Sequence, residues 1–396
     1  MTSSSRVILK AGREKPIKNR HHWIFSGAVS HLPSTLDGDC LEVFSHSGEN
    51  LGWGYFNRRA EIIGRMVSFD TTSPEIAISK NLDKAFSLRS SFFDKKKTNA
   101  YRLVNGEGDE LPGLVIDCYG DVAVVQISTL GMQKFRPLIV DWLIQKISPK
   151  SIYEKSLVPS RKEEGLQDEQ GSLYGEIPAQ PIEILENGLR FFVSILHGQK
   201  TGFFLDHREM REQIRSLSKG KRVLNCFAYT GGFSVYAASG GAILVDSIDI
   251  SAAAIQMAER NMELNLRSTD TSELKDRFIA ADVFDFLRED PLNYDLVILD
   301  PPAFAKRQKD TVAACRGYKD INRVAMEKMP KGSVLLTSSC SYHVNETLFQ
   351  TVVFQASIEA KRQVKIIGRH RMAPDHPVNI CHPESDYLKS LLLYIE

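Results

Sequence analysis

The chain has 396 residues, of which 42% are hydrophobic and 25% are charged, and its formal net charge at pH 7 is +1. This composition is ordinary for a globular protein and excludes a largely disordered or fibrous chain. The length exceeds what one hydrophobic core usually serves, so two or three domains are expected. The sequence contains no run of about 18 apolar residues and no apolar signal-peptide core, so we expect a cytoplasmic protein without a membrane partner.

The N-terminal segment is basic and rich in short predicted strands. Between Met1 and Pro33 there are six Lys or Arg residues and one acidic residue, Glu14. Such a balance suits contact with phosphates, although a solvated basic edge explains it more simply when the stretch is taken alone. Strands are predicted in VIL, WIFSGAV, CLEVFS, LGWGYFN and EIIGRMVSF. We therefore expect residues 1–72 to form a small all-β unit.

A central α+β domain is predicted over residues 73–197. Helical patterns cover residues 76–93 and 133–147, and strands are predicted in LPGLVIDCYG, VAVVQIS, SIYEKS, IEILENG and LRFFVSIL. The charged stretch VPSRKEEGLQDEQGS between them is predicted to be an exposed hairpin loop. So many ionisable side chains in a short span are not expected to be buried together.

From about Gln199 onward, strands and helices alternate, which is the pattern of a parallel sheet with crossover helices. Residues 198–396 are therefore predicted to form a doubly wound, Rossmann-like α/β domain. Its seven strands are RVLNCF, AILVDSID, RFIAAD, DLVILD, SVLLTSS, VKIIGR and YLKSLLLYI, and its helices cover residues 233–239, 251–265, 310–329 and 345–361. The last two strands are joined directly, which predicts the antiparallel final strand typical of a methyltransferase sheet.

A candidate cofactor site follows the first three strands of this domain. The turn CFAYTGGF brings bare backbone to the sheet edge, but it lacks the GxGxxG pattern of a pyrophosphate loop. The turn therefore favours a ligand without phosphates, such as S-adenosylmethionine, over NAD, with an ordinary tight turn as the simpler alternative. Asp249 ends the next strand, where it could bind both ribose hydroxyls, and Asp282 follows the third, within reach of the adenine amino group.

Either acid alone is more often a helix cap or a turn residue, but one nucleoside explains all three strand ends together. The predicted cofactor contacts in this domain core are Asn225, Phe227, Ala228, Tyr229, Thr230, Gly231, Gly232, Phe233, Asp249, Ile250, Asp282, Val283 and Asp300.

A candidate reaction site follows the fourth and fifth strands. The fourth ends in DPPAFAK, where two prolines fix the chain direction and make a rigid ledge beside Asp300. The fifth ends in SSCS, which puts the Cys340 thiol at the neighbouring strand end. A single buried cysteine is usually an inert small hydrophobic residue, and it is the position of Cys340 that singles it out. The predicted substrate contacts are Pro301, Pro302, Phe304, Lys306, Arg307 and Arg316.

The six cysteines are scattered through the chain and form no CxxC pair, so we expect reduced thiols. His376, Cys381 and His382 lie close together in sequence, but their spacing fits no zinc pattern. No metal is expected.

Taken together, these motifs resemble the cytosine-5 methyltransferases of large-subunit ribosomal RNA that carry an N-terminal PUA domain. The likeness covers essentially the whole chain, through RHHWIFSGAV, VNGEGDELPGLVIDCYGD, GQKTGFFLDHREMR, DPPAFAKRQKD, SSCS and the ending DHPV...PESDYLKSL. GQKTGFFLD and DPPAFAK are the most specific of these motifs. The departures are His207, where Gln is expected, and Tyr342 and His343 after SSCS, where smaller residues are usual.

The resemblance implies that residues 1–72 form a small PUA-like β-barrel that binds RNA. It also implies S-adenosylmethionine as cofactor and a covalent mechanism. The Cys340 thiolate would add to carbon 6 of cytosine, making carbon 5 nucleophilic, and Asp300 would hold or protonate N3. The group that removes the proton from carbon 5 is not identified. Some related enzymes have a second cysteine just after the DPP prolines, but Ala303 and Phe304 stand there in this sequence. The resemblance also places four residues near the methionine end of the cofactor: Lys200, Phe204, Asp206 and Arg208.

Other functions remain open on the sequence alone. The enzyme could act on uracil carbon 5, which uses the same thiol chemistry, or on a guanine nitrogen, which needs no nucleophile. A non-catalytic RNA-binding factor for ribosome assembly is the alternative from another class, although the set Asp249, Asp282, Asp300 and Cys340 argues for turnover. The expected partner is ribosomal RNA or a pre-ribosomal particle. The oligomeric state stays open, with a homodimer among the alternatives.

Overall fold

The computed structural model describes residues 6–179, 181–266, 274–289, 292–305 and 307–396. The chain divides into two compact units. The first comprises residues up to Ile184 together with Val193–Leu205 and Pro374–Ser385, and the second comprises Leu185–Phe192, Asp206–Ala373 and Asp386–Glu396. The domain borders expected at residues 72 and 197 stay predictions.

The first unit begins with a six-stranded sheet in the order β2-β6-β5-β4-β1-β3. Its elements are β1 (Arg6–Leu9), α1 (Lys15–Lys18), β2 (Trp23–Ile24), β3 (Val29–His31), β4 (Cys40–Phe44), β5 (Asn50–Phe56) and β6 (Gly64–Ser68). Val7, Leu9 and Val43 are fully buried, because alternate residues of a strand face the same side. This confirms the predicted all-β character of the N-terminal segment.

A five-stranded sheet in the order β11-β10-β9-β8-β7 follows in the same unit. Its elements are α2 (Pro74–Phe92), β7 (Ala100–Asn105), β8 (Leu114–Tyr119), β9 (Val122–Ile127), α3 (Leu130–Lys134), α4 (Arg136–Lys146), β10 (Ser151–Ser156), α5 (Ser160–Glu163) and β11 (Glu169–Tyr174). A two-stranded sheet comes next in the chain, formed by β12 (Ile182–Glu186) and β13 (Leu189–Val193).

Residues 158–172 do lie in a hairpin connection, since β10 and β11 pair antiparallel, but the prediction that this stretch is an exposed loop is wrong. This stretch contains α5 and most of β11, and Arg161 and Glu164 are buried. Arg161 donates to the carbonyl oxygens of Gln167 and Ile127 at 2.7 and 2.6 Å, and Glu164 accepts from Arg65 at 2.6 Å. These partners compensate the charges, so burial is possible.

The second unit is built on a seven-stranded sheet in the order β16-β15-β14-β17-β18-β20-β19. Its elements are α6 (Arg208–Leu217), β14 (Arg222–Cys226), α7 (Gly232–Ser239), β15 (Leu244–Asp249), α8 (Ala252–Leu266), β16 (Lys275–Ala280), α9 (Val283–Arg288), β17 (Leu296–Leu299), α10 (Thr311–Lys328), β18 (Val334–Ser339), α11 (Glu346–Glu359), β19 (Val364–His370) and β20 (Lys389–Ile395). Strands β14 to β18 pair in parallel, and β20 runs antiparallel to both β18 and β19. The predicted methyltransferase sheet is confirmed.

Candidate active site

The predicted site residues of the second unit meet at one edge of its sheet. Because β14 to β18 are parallel, the residues that follow them lie at a common carboxyl edge. Strand order reverses between β15 and β17 on either side of β14. Such a switch point opens a crevice above the sheet, and the turn after β14 lies there.

The turn after β14 has an unusual backbone. Phe227, Tyr229 and Gly231 have φ values of 58°, 47° and 77°, a left-handed conformation that costs energy for the two aromatic residues. A Cβ atom built on Gly231 would lie 2.8 Å from Cβ of Ala258 in α8. Only glycine therefore allows α7 to start this close to α8.

Asp249, the last residue of β15, fixes this turn from the neighbouring strand. Its carboxylate accepts hydrogen bonds from the backbone N–H of Tyr229 and of Ser251, both at 2.9 Å. Each carboxylate oxygen has a second lone pair, so ribose hydroxyls remain possible donors. The next residue, Ile250, exposes 75% of its side chain, an apolar surface suited to a flat nucleobase.

Asp282 lies after β16 and is the N-cap of α9. Its Oδ1 accepts from the backbone N–H of Phe284 at 2.7 Å and of Asp285 at 3.3 Å, which is the usual capping geometry. Val283 beside it is buried in the core. The carboxylate of Asp282 itself is exposed and available to a ligand at this edge.

Two buried oxygens test whether the site fits a nucleoside with an amino-acid tail. Oδ1 of Asn225 and Oγ1 of Thr230 are buried and have no hydrogen-bond partner among the described residues. Orphaned acceptors at the end of β14 require donors, and the ammonium and hydroxyl groups of S-adenosylmethionine are donors. The residues present therefore fit this cofactor.

Asp300 follows β17, and its side chain is 22% exposed. His207 lies beside it, with Nδ1 3.6 Å from Oδ2 of Asp300 and its ring edge-on to Phe233. The preceding residue, Asp206, is buried and accepts a 2.5 Å hydrogen bond from the Tyr387 hydroxyl. No local sequence pattern predicts this network, although Asp206 is a predicted cofactor contact and His207 departs from the family pattern.

The segment after Asp300 forms the predicted ledge. Pro301 is buried and Pro302 is exposed, while the ring of Phe304 packs on Tyr318 with centroids 4.6 Å apart. Arg307 and Arg316 are exposed, and Arg307 pairs with Asp310 at 3.2 Å. Lys306 lies outside the described residues.

Cys340 follows β18, the neighbour of β17 in the sheet. The next residue, Ser341, ties this turn to the ledge: its Oγ accepts from the backbone N–H of Ala305 at 3.2 Å and lies 2.9 Å from the Tyr318 hydroxyl. Cys340 is partly exposed. Cys226 is fully buried, and burial raises the pKa of its thiol, so the two cysteines at this edge differ in accessibility.

Lys389, the first residue of β20, is a functional candidate that sequence reasoning missed. It is 7% exposed, and its ammonium donates to the carbonyl oxygens of Ser341 at 2.7 Å and of Tyr387 at 2.8 Å. Its position in YLKSL, at the start of a late apolar strand, looks like an ordinary strand end.

The residues of GQKTGFFLDHR are placed in different units. Lys200 and Phe204 belong to the first unit, where the Lys200 ammonium lies 4.5 Å from the centroid of the Phe204 ring. Arg208 belongs to the second unit, where it is buried and lies 3.4 Å from the carboxylate of Glu186.

One group in the first unit combines potential metal ligands: His21, His382 and Glu384. His21 Nδ1 accepts from the backbone N–H of Trp23 at 3.2 Å, so Nε2 carries the proton and donates to Glu384 at 3.3 Å. This tautomer satisfies His21 without an ion. The expectation that the protein binds no metal stays a prediction.

Among the described residues, no helix combines the length and the apolar character needed to cross a membrane.

Comparison with known proteins agrees with this geometry. The model of the S-adenosylmethionine-dependent methyltransferase family matches residues 167–381, and a PUA-like domain model matches residues 7–69. The latter confirms the predicted character of the N-terminal unit.

Similar proteins cover nearly the whole chain. Ribosomal RNA large subunit methyltransferase I of Shewanella denitrificans is 41% identical over 98% of both chains, and the enzyme of the same name from Aeromonas salmonicida is 40% identical over 98% of both. The crystal structure of SMU.776 complexed with SAH has a TM-score of 0.84 at 27% identity, and the match covers 98% of this chain and 99% of that one. The predicted cofactor, S-adenosylmethionine, is confirmed.

Proposed function

This chain belongs to the S-adenosylmethionine-dependent methyltransferases, in the family of the ribosomal RNA large subunit methyltransferases I, and on that premise we propose that it methylates carbon 5 of a cytosine in large-subunit ribosomal RNA. Ribosomal RNA, alone or in a pre-ribosomal particle, is the proposed partner. The proposed place of action is the cytoplasm.

One observation carries the choice of carbon 5: a partly exposed thiol at the strand end next to Asp300. Ser341 and Ala305 tie the two turns together through a 3.2 Å hydrogen bond. Methylation of a nitrogen needs no nucleophile, so Cys340 would have no task in such a reaction. Carbon 5 of a pyrimidine is a poor nucleophile until a thiolate has added to carbon 6.

The proposed mechanism assigns one task to each side chain. The Cys340 thiolate forms a bond to carbon 6, and Asp300 holds or protonates N3, so the electron density gained by the ring is stabilised. Bound S-adenosylmethionine supplies an electrophilic methyl group. With the methyl group bonded to carbon 5, a base takes the proton from that carbon and the electron pair of the C–H bond restores the ring double bond. Cys340 then leaves as a thiolate, and N3 returns to Asp300 any proton that it received.

The cofactor is proposed to lie along the edge formed by Asp249, Ile250 and Asp282. Asn225 and Thr230 would face its amino-acid tail, since their buried oxygens have no donor within the part of the chain that the structure describes. The target base must leave its stack to reach the ledge. The remaining proposed contacts keep the roles given by the sequence: Lys200, Phe204, Asp206 and Arg208 toward the cofactor, and Pro301, Pro302, Phe304, Lys306, Arg307 and Arg316 toward RNA.

The direct test is methyl transfer from labelled S-adenosylmethionine to unmodified large-subunit ribosomal RNA, followed by mass spectrometry of the nucleosides. We expect 5-methylcytidine. Methylated uridine or guanosine would replace the proposed base with another, and absence of transfer to any RNA would favour a non-catalytic assembly factor.

A second test identifies the nucleophile. In RNA with 5-fluorocytidine at the target, carbon 5 carries no proton that a base can remove, so the bond between Cys340 and carbon 6 should persist after methyl transfer. We expect a stable protein–RNA band with the parent protein and with Cys226→Ala, and none with Cys340→Ala. An adduct that survives Cys340→Ala would contradict the assignment.

A further inference from the structure

Lys389 is a buried cation held beside the turn that carries Cys340. In the antiparallel pair of β18 and β20 it lies opposite Ser339, the residue before Cys340, and its ammonium donates to the carbonyl of Ser341, the residue after it, at 2.7 Å. A second bond to the Tyr387 carbonyl, at 2.8 Å, fixes the side chain from the segment just before β20. Strand pairing therefore sets the backbone of Lys389 opposite the residue before the cysteine, and a hydrogen bond ties its ammonium to the residue after it.

This cation lacks the partner that buried lysines usually have. Within the part of the chain that the structure describes, its hydrogen bonds go to carbonyl oxygens, and no carboxylate lies within ion-pair distance. Arg371, which is paired with Glu346 and Asp386, adds a second positive charge nearby. The pKa of Lys389 is lowered to about 8, chiefly by burial and also by the charge of Arg371, while the Cys340 thiolate acts in the opposite direction.

A buried ammonium without an anion is costly, whereas a thiolate at Cys340 would supply the missing charge. We propose that Lys389 is the proton partner and counter-cation of Cys340, so that this pair holds the cysteine as a thiolate before RNA binds. The pairing is a property of the protein alone, and its catalytic use rests on the function proposed above. Lys389 acts through Cys340 and is a positioning residue.

The proton transfer is balanced within the pair. The Sγ–H bond breaks, its electron pair stays on sulfur, and Nζ of Lys389 takes the proton to become an ammonium. When sulfur later leaves carbon 6, it departs as the same thiolate, so the pair returns to its resting state. Cys226 at the same sheet edge provides the contrast, because burial alone determines the raised pKa of its thiol.

The test measures the thiol directly, without RNA or cofactor. The parent protein is alkylated with iodoacetamide from about pH 5 to about pH 10, and modification is quantified on the tryptic peptide spanning residues 332–361, whose one cysteine is Cys340. We expect the rate of Cys340 alkylation to reach half of its maximum below about pH 7.5, whereas an ordinary cysteine reaches this midpoint at about pH 8.5.

Two substitutions separate charge from hydrogen bonding. Lys389→Gln keeps amide donors but removes the charge, and we expect its Cys340 midpoint to rise to about pH 8.5 or higher, with an alkylation rate at pH 7 lowered at least about tenfold. Lys389→Arg keeps the charge and should retain a midpoint below that of Lys389→Gln. Lys155→Gln is the matched control: Lys155 is also a buried lysine that donates to two carbonyl oxygens, those of Ile195 and Gly198 at 2.6 Å, and its loss should leave the midpoint unchanged.

An unchanged midpoint in Lys389→Gln, or an equal rise in Lys389→Arg, overturns the proposal. If the variants do not fold, the ionisation of Cys340 is measured in the parent protein by thiolate absorbance near 240 nm. The absorbance of Cys340→Ser is subtracted at each pH, so the difference reports Cys340 alone. A titration midpoint at or above about pH 8.5 in the parent overturns the proposal. These outcomes are distinct from failure of the proposed function. That failure would appear as absent or different RNA methylation by the parent, whatever the alkylation profile.

Discussion

Asp249 combines a structural and a ligand-binding task in one carboxylate. Its two oxygens already hold the backbone of Tyr229 and Ser251 at 2.9 Å, so it shapes the turn that would receive the cofactor. Asp249→Ala should weaken S-adenosylmethionine binding by one to two orders of magnitude, since charge-assisted hydrogen bonding worth about 1.5–3 kcal/mol in total is at stake. Isothermal titration calorimetry measures this affinity.

Asp295→Ala is the control for this substitution. Asp295 also accepts from a backbone N–H, that of Arg222 at 2.9 Å, but it precedes β17 and so lies at the amino edge of the same sheet. Its loss should lower stability without changing cofactor affinity. Equal affinities for the two variants would remove Asp249 from the binding site.

At this scale, the sequence predicts the residues that end strands and misses those that assemble from distant segments. The positions of Asp300 and Cys340 at strand ends can be predicted because each residue follows an apolar run typical of a buried strand. The contact between Tyr387 and Asp206 joins residues 181 positions apart, and no local pattern encodes it. The same holds for Lys389, whose environment depends on the pairing of β20 with β18.

The turn between β14 and α7 determines how closely α7 and α8 pack. Gly231→Ala would put a Cβ 2.8 Å from Cβ of Ala258 at a φ of 77°, so either the turn or α8 must move. We expect a loss of unfolding free energy of roughly 1–3 kcal/mol and weaker S-adenosylmethionine binding, because the backbone under the cofactor shifts. Urea denaturation and calorimetry measure the two effects.

Gly220→Ala separates backbone strain from the steric clash. Gly220 has a φ of 70°, and an added Cβ meets nothing within 4 Å. This variant should lose the strain energy alone and bind the cofactor normally. If Gly231→Ala also binds the cofactor normally, the turn does not contact it.

Among the elements, prediction succeeds where the pattern is periodic and fails where charges are compensated across strands. The seven strands of the large sheet in the second unit and its helices α7, α8, α10 and α11 are recovered nearly to their ends, whereas α6 and α9 are not predicted. Strand β7 was not predicted, because Arg102 interrupts its apolar run, and its charge is matched by Asp117 on β8 at 2.8 Å. The helix predicted over residues 133–147 is split at Phe135, where Pro137 in the first turn of α4 favours a new start.

For the whole molecule, composition indicates a globular chain of more than one unit, and the order of elements along the sequence indicates the class of fold. The net charge of +1 hides the basic N-terminal segment, which belongs to the PUA-like domain. Within that segment Arg13 and Lys15 are exposed. A cation in this position attracts phosphate without regard to base identity, so its contribution should appear in salt dependence.

Replacing Arg13 and Lys15 together by Ala should therefore weaken RNA binding and flatten its dependence on salt. Each phosphate contact that is lost lowers the slope of log K against log salt by about 0.7–0.9, so a fall of roughly 1.5 is expected if both residues contact RNA.

The matched control is the pair Lys96→Ala and Lys97→Ala, which removes the same charge from another exposed site of the first unit and should leave the slope unchanged. Binding isotherms at several salt concentrations measure both slopes, and S-adenosylmethionine affinity should be equal in the two double variants. Identical slopes for the parent and Arg13→Ala/Lys15→Ala would mean that the basic segment does not contact phosphate.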